Sequence, residues 1–155
     1  MRVMAGLRER ADAIDRRMVG WMRRDGIQLL RIALAVVFIW FGTLKIIGRS
    51  PVEALVAQTV YWADPAFFVP FLGVWEVVIG LGLLFPLALR LTLLLFWLQL
   101  AGTFLVLLVR PGIAFQQGHP LLLTMEGEFV IKNVVLITAG LVIGSTRPIT
   151  RRPLR

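Results

Sequence analysis

Cysteine is absent from this chain and histidine occurs once, at His119. The first absence excludes disulfides, thiolate catalysis, iron–sulfur clusters and zinc–thiolate sites. The second excludes bis-histidine haem ligation and any histidine metal cluster supplied by this chain alone, so no metal site is expected. Acidic residues are scarce too, 9 against 17 Lys and Arg, leaving a formal charge of +8. Such a surplus often marks a nucleic-acid partner. Here most of the arginines gather at the two ends of the chain, outside its apolar segments, a placement that suits anionic lipid headgroups better than a DNA-reading face. No internal repeat or low-complexity tract is visible, and no compact apolar stretch follows the first charges as a cleavable signal peptide requires.

What the chain has in abundance is apolar residues, 58% of 155. They fall into four runs, Ile27 to Ile47, Phe67 to Leu89, Leu91 to Val109 and Phe129 to Ile143. The first three approach the roughly 20 residues that a helix needs to cross the hydrocarbon core. The fourth reaches that length if Thr124 caps a first turn containing Glu126 and Glu128. The predicted fold is therefore all-α, an integral membrane four-helix bundle with spans over about 27–47, 67–89, 91–109 and 125–144. Ahead of it, over residues 1–26, Val3, Leu7, Ala11, Ile14, Met18 and Trp21 recur every three or four positions among arginines. That pattern predicts an amphipathic helix lying on the membrane surface. Residues 145–155 form a basic tail. An even number of spans and arginine-rich ends place both termini on the cytoplasmic side of a bacterial inner membrane by the positive-inside rule.

Two connectors carry further signals. In "SPVEALVAQTVYWADP", Ser50, Pro51 and Glu53 read as a capping box, and Val52, Leu55, Val56, Thr59 and Val60 give the short helix an apolar side. It is expected to lie in the interface or to fold back over the bundle mouth; Asp64 and Pro65 then start the second span. "RPGIAFQQGHPLLLTMEGE", which contains His119, is the longer loop and the expected place for a gate or docking surface.

One carboxylate, Glu76, interrupts an otherwise apolar run about nine residues, or roughly 13 Å, into the second span. An acid at that depth costs several kcal/mol unless a partner meets it, and so marks a functional site by default. Gly73 and Gly80 share its face and allow another helix to come close; Gly42 and Gly102 are the corresponding small residues on the first and third spans. Lys45 can run its long stem down toward Glu76, and Gln99 lies at similar depth on the third span. Lys132 and Asn133 lie in the first turns of the fourth, with Glu128 four residues before Lys132 as a rival partner. The expected intramembrane polar cluster is thus Lys45, Glu76, Gln99, Lys132 and Asn133. The bland alternatives are that the two lysines snorkel to the interface and that Gln99 is ordinary interhelical glue.

The stretches "RIALAVVFIWFGTLKI", "GVWEVVIGLGLL" and "GEFVIKNVVLI" together resemble the DoxX-like family of small bacterial membrane proteins, especially its YkgB-like branch, over roughly Ile27 to Gly144. The resemblance implies a four-helix bundle in the cytoplasmic membrane and an association with redox or oxidative-stress physiology. It carries over no catalytic residue. Three functions follow from the residues and the resemblance: a non-enzymatic component that binds or passes a small or lipid-like molecule at the polar cluster; a subunit of a quinone-linked oxidoreductase, with a quinone among Lys45, Glu76 and Gln99 near Trp40 or Trp75 and electrons from a redox partner protein; or a scaffold whose basic ends hold cytoplasmic proteins. The chain supplies no electron carrier of its own, so enzymatic activity by this chain alone is not expected.

Overall fold

The structure is a computed structural model that describes residues 2–146, so the basic tail from position 147 onward lies outside the described residues. It contains seven helices among those residues: α1 (Arg2–Ile46), α2 (Glu53–Thr59), α3 (Pro65–Leu84), α4 (Leu89–Val109), α5 (Pro111–Ala114), α6 (Met125–Ile131) and α7 (Asn133–Ser145). Four stretches are long and apolar enough to cross a membrane: Ile14–Ile46, Pro65–Leu84, Leu89–Val109 and Met125–Ser145. A shell of exposed Val, Leu, Phe and Trp side chains surrounds them, including Trp40, Phe67, Val74, Leu94, Leu98 and Val135. Water would not tolerate so continuous an apolar surface, whereas lipid tails cover it without cost. The chain is an all-α, multi-pass membrane protein.

The element boundaries differ from the expected ones in three places. The first span and the segment before it form one uninterrupted helix instead of an interfacial helix and a separate span. No proline occurs between Arg2 and Ile46, and Gly26 alone does not break a helix flanked by good helix formers. Residue 27 still has meaning, as a membrane boundary: from there to Ile46 the rise is roughly 30 Å, and the charged trio Arg23, Arg24 and Asp25 precedes it. The side chains of Val3, Leu7 and Ala11 lie outside the described residues. The second span stops at Leu84 instead of Leu89, because Pro86 opens a 3-10 turn over Pro86–Ala88 and α4 starts at Leu89. The fourth span divides into α6 and α7 at Lys132.

Caps account for most of the remaining ends. Asp64 accepts from the Ala66 amide at 3.0 Å to open α3, and Thr124 accepts from the Gly127 amide at 3.1 Å to open α6. Gly48, at φ +63°, closes α1: its amide bonds to the Lys45 carbonyl and the Arg49 amide to the Leu44 carbonyl at 2.8 Å, the paired pattern of a Schellman turn. The expected capping box at Ser50 does not form. Helix α2 begins at Glu53 with Val52 at its N-cap and no side-chain bond; the Glu53 amide bonds instead to the Ser50 backbone carbonyl.

Packing is tightest between α1 and α3, which run antiparallel. A Cβ on Gly42 would lie 2.5 Å from the Gly73 carbonyl oxygen, one on Gly73 2.6 Å from the Gly42 oxygen, and one on Gly80 2.8 Å from the Ala35 oxygen. The small residues repeat every seven positions on both helices, Ala35 with Gly42 and Gly73 with Gly80, which keeps one seam facing the partner over two turns. Toward the end of the bundle away from α2, Leu34, Ala35, Phe38, Ile79, Leu83, Leu93, Phe96 and Ile143 form the main core. Near α2 a smaller cluster joins Val106, Ala114 and Val130 with Leu55 and Phe115.

Gly102 departs from the expected packing role: a Cβ there would meet nothing within 4 Å. Gly42→Val and Gly73→Val should each lower the apparent melting temperature in detergent, with an overpacking cost of about 1–3 kcal/mol. Gly102→Ala should be neutral or gain up to about 1 kcal/mol from helix propensity. Equal losses at all three positions would contradict the packing described.

Candidate functional site

Because Gly42 and Gly73 let the two backbones touch, the stem of Lys45, one turn beyond Gly42, passes directly over Gly73. Its ammonium then lies one turn deeper, where Nζ donates to Glu76 Oε2 at 2.7 Å. From the third span, Gln99 Nε2 donates to Glu76 Oε1 at 2.9 Å. Both carboxylate oxygens therefore have a donor. Lys45 and Glu76 are only 6% and 8% exposed, while Gln99 is half-buried. Isolated charges would not persist at that burial; a paired, hydrogen-bonded couple does. Glu76 stands eleven residues into α3, roughly 16 Å of rise from its start, near the middle of the span.

The triad forms the floor of a cavity of about 470 Å3 in the half of the bundle nearer α2, between the main core and the smaller cluster. Its walls are apolar: Phe38 and Phe41 of α1, Phe68 and Leu72 of α3, Leu100 and Val106 of α4. Gly102, which has no side chain to fill the space, lines it as well. The roof is the connector after α1, through Pro51, Val52, Leu55, Val56, Thr59 and Trp62. Of the two placements open to this helix, the fold takes the one over the bundle mouth. A single cross-link holds the far end of α2, as Arg110 Nε donates to the Gln58 carbonyl at 3.0 Å. That carbonyl is among the last of a helix and lacks an intrahelical partner, which is where a cation is favoured.

The other expected members of the cluster border the cavity without joining the triad. Lys132 is exposed and donates to Glu128 Oε2 at 3.2 Å, the i,i+4 pair that its spacing allowed. Asn133, at the start of α7, lines the cavity and is half-buried. Trp40 and Trp75 do not line it: Trp40 is 62% exposed on the outer surface, and the Trp75 indole donates to the Leu95 carbonyl at 3.2 Å between α3 and α4. The aromatic residues that do line it are Phe38, Phe41 and Phe68 in the walls and Trp62 in the roof. The loop with His119 is folded down, not open. Phe115 pairs with Leu123, Gln116 Nε2 donates to the Leu123 carbonyl at 2.7 Å, and Thr124 Oγ1 donates to the Ile113 carbonyl. The His119 side chain is exposed, and its Nδ1 accepts from the Leu121 amide at 3.4 Å. Among the described residues no group of three or more His, Asp or Glu could hold a metal ion.

The roof was partly legible in the apolar side of α2, but its latch was not, because Gln58 offers a backbone atom and Arg110 a side chain fifty-two positions away. Sequence spacing carries no signal for such a pair.

Two measurements test this geometry. Lys45→Met alone should cost about 3 kcal/mol of stability, since it leaves a buried carboxylate with only Gln99, and the double variant Lys45→Met/Glu76→Gln should recover part of that loss. Strict additivity in detergent melting would mean the two groups do not interact. Arg110→Gln should speed amide exchange in α2 about fivefold, equivalent to about 1 kcal/mol at a helix C-terminus, and leave α3 and α4 unchanged.

Comparison with known proteins returns no match: no family model, no curated protein and no solved structure is similar to the chain.

Proposed function

We propose that this protein is a DoxX-like membrane component, not an enzyme by itself, that binds a small amphipathic or lipid-like molecule in the cavity, polar end on the Lys45–Glu76–Gln99 floor and apolar part along the phenylalanine walls. The observation that carries the reading is the coincidence of a concave, partly open volume of about 470 Å3 with the one buried ion pair among the described residues. Small-molecule sites are concave, mostly apolar, roughly 300–1,000 Å3, and carry a few convergent polar groups that fix orientation. A purely structural ion pair needs no empty space beside it. The link to redox or stress physiology rests on the family resemblance alone.

A second reading, a quinone-linked redox subunit, draws its support from the aromatic lining, since Phe38, Phe41 and Phe68 offer apolar ring faces to a planar headgroup. It requires a partner protein to supply electrons. For both readings the proposed location is the bacterial inner membrane with both chain ends cytoplasmic. The supports are the even number of spans and the arginines ahead of Ile27 and after Gly144.

Mass spectrometry of small molecules retained by the purified protein tests the binding reading. The wild type should retain about one amphipathic equivalent per chain, and Gly102→Phe, which fills the cavity where no atom stands in the way, should lose it. Equal retention by both proteins would remove the cavity from the function; a quinone as the retained species would favour the second reading. A reporter fused to the C-terminus should report the cytoplasmic side, and a periplasmic signal would overturn the proposed orientation.

A further inference from the structure

The charges around the cavity cancel locally. At the floor Lys45 and Glu76 neutralise each other at 2.7 Å, and at the rim Lys132 is matched by Glu128 at 3.2 Å. No unpaired charge among its described lining residues faces the space. An ionised head placed beside the floor would be drawn to one member of the pair and repelled by the other over nearly the same distance, so the two effects offset. It would still lose much of its hydration at the buried floor, which is costly between apolar walls. A neutral head has no such cost.

Hydrogen-bonding capacity narrows the head further. Lys45 uses one of its three N–H donors on Glu76, and two remain. Gln99 donates to Glu76 through its nitrogen, and its side-chain oxygen remains an acceptor. The hydroxyls of Thr59 and Thr103 already donate to the Leu55 and Gln99 carbonyls within their own helices, so they present only acceptor lone pairs. A head that both accepts from Lys45 and donates to Gln99 satisfies the floor; a pure acceptor satisfies half of it. The volume, in the lower half of the range for small-molecule sites, accommodates one tail rather than two.

We infer that the occupant is an uncharged, hydroxyl-headed amphipath with a single apolar tail, selected against charged heads by the self-neutralised Lys45–Glu76 floor. This rests on the binding reading above and specifies its ligand class. Glu76 is then a specificity-determining residue: the pair, more than the walls, decides which head is accepted.

Competition in nanodiscs, read by native mass spectrometry, tests it with three probes that share an oleyl tail: monooleoylglycerol, oleyl phosphate and oleyl trimethylammonium. Retention by Gly102→Phe defines the lipid bound around the outside of the helices and is subtracted. The wild type should retain the glycerol probe at least tenfold over either charged one. Glu76→Gln leaves Lys45 unmatched and should invert the preference toward the phosphate, while Lys45→Met should shift it toward the ammonium. Wild-type retention of oleyl phosphate equal to or above that of the glycerol probe, in excess of Gly102→Phe, would overturn the inferred head chemistry and leave a binding cavity standing. If no probe is retained above the Gly102→Phe level, the binding reading itself fails. The wild-type competition decides the matter even where a floor variant does not fold.

Discussion

The contact between Lys45 and Glu76 constrains everything near it. A carboxylate half-way across a membrane span must be met by a donor, and the only lysine stem that reaches it crosses over Gly73. That crossing needs α1 and α3 at backbone contact, which in turn requires hydrogen as the side chain at positions 42 and 73. The seam and the ion pair therefore depend on each other: the glycines place the lysine, and the bond at 2.7 Å resists sliding of one helix along the other. An apolar pair in its place would pack as well or better, since buried ion pairs seldom outperform hydrophobic substitutes in stability. What the charges add is register, and a polar surface at a chosen depth.

The cavity follows from the same arrangement. Below the pair, large side chains interdigitate; Phe38 and Phe96 meet at a ring separation of 5.2 Å and Ile79 and Leu83 are fully buried. Above it, α4 presents Gly102 and Thr103 where a bundle built for packing alone would present leucine. The remaining gap is closed at the top by a seven-residue helix held through one side chain. A helix that short does not persist in isolation and takes its stability from what it covers. The chain thus keeps a space open in its interior while spending few contacts on the part that shuts it.

Much of this was legible in the order of residues. Spans are set by the demand for about twenty apolar positions, and the second and third came within about five residues of their observed ends, while the first matched only at its Ile46 end because its helix begins far earlier. The fourth needed the Thr124 cap, which forms. Lys45, Glu76 and Gln99 could be grouped because depth along a span can be counted, and atoms at equal depth on adjacent helices meet. The rotational setting of each helix was harder to read. Gly102 shares its composition with Gly42 and Gly73 yet faces an opening instead of a neighbour, and Lys132 turns to Glu128 on its own helix. Trp40 and Trp75 were placed near the floor by depth alone and point elsewhere. The missing break at Gly26 is a different matter: a change of hydrophobic pattern marks where lipid begins, while only a proline or a capped turn marks where a helix ends.

The asymmetry between the two halves of the bundle bears on whether a ligand is held or passed through. Passage would require a second opening on the far side of Glu76. There large buried side chains form the main core, and α1 and α3 touch backbone to backbone at Ala35 and Gly80 as well as at Gly42 and Gly73. Opening that half means separating a seam along which glycine carbonyls already sit against the opposite helix, and breaking the ion pair at its upper end. The other half is already partly open, and α2 covers it through a single side-chain hydrogen bond and a modest apolar contact. For the proposed ligand, the difference in resistance favours entry and exit through the half nearer α2, with the Lys45–Glu76 pair as the end wall.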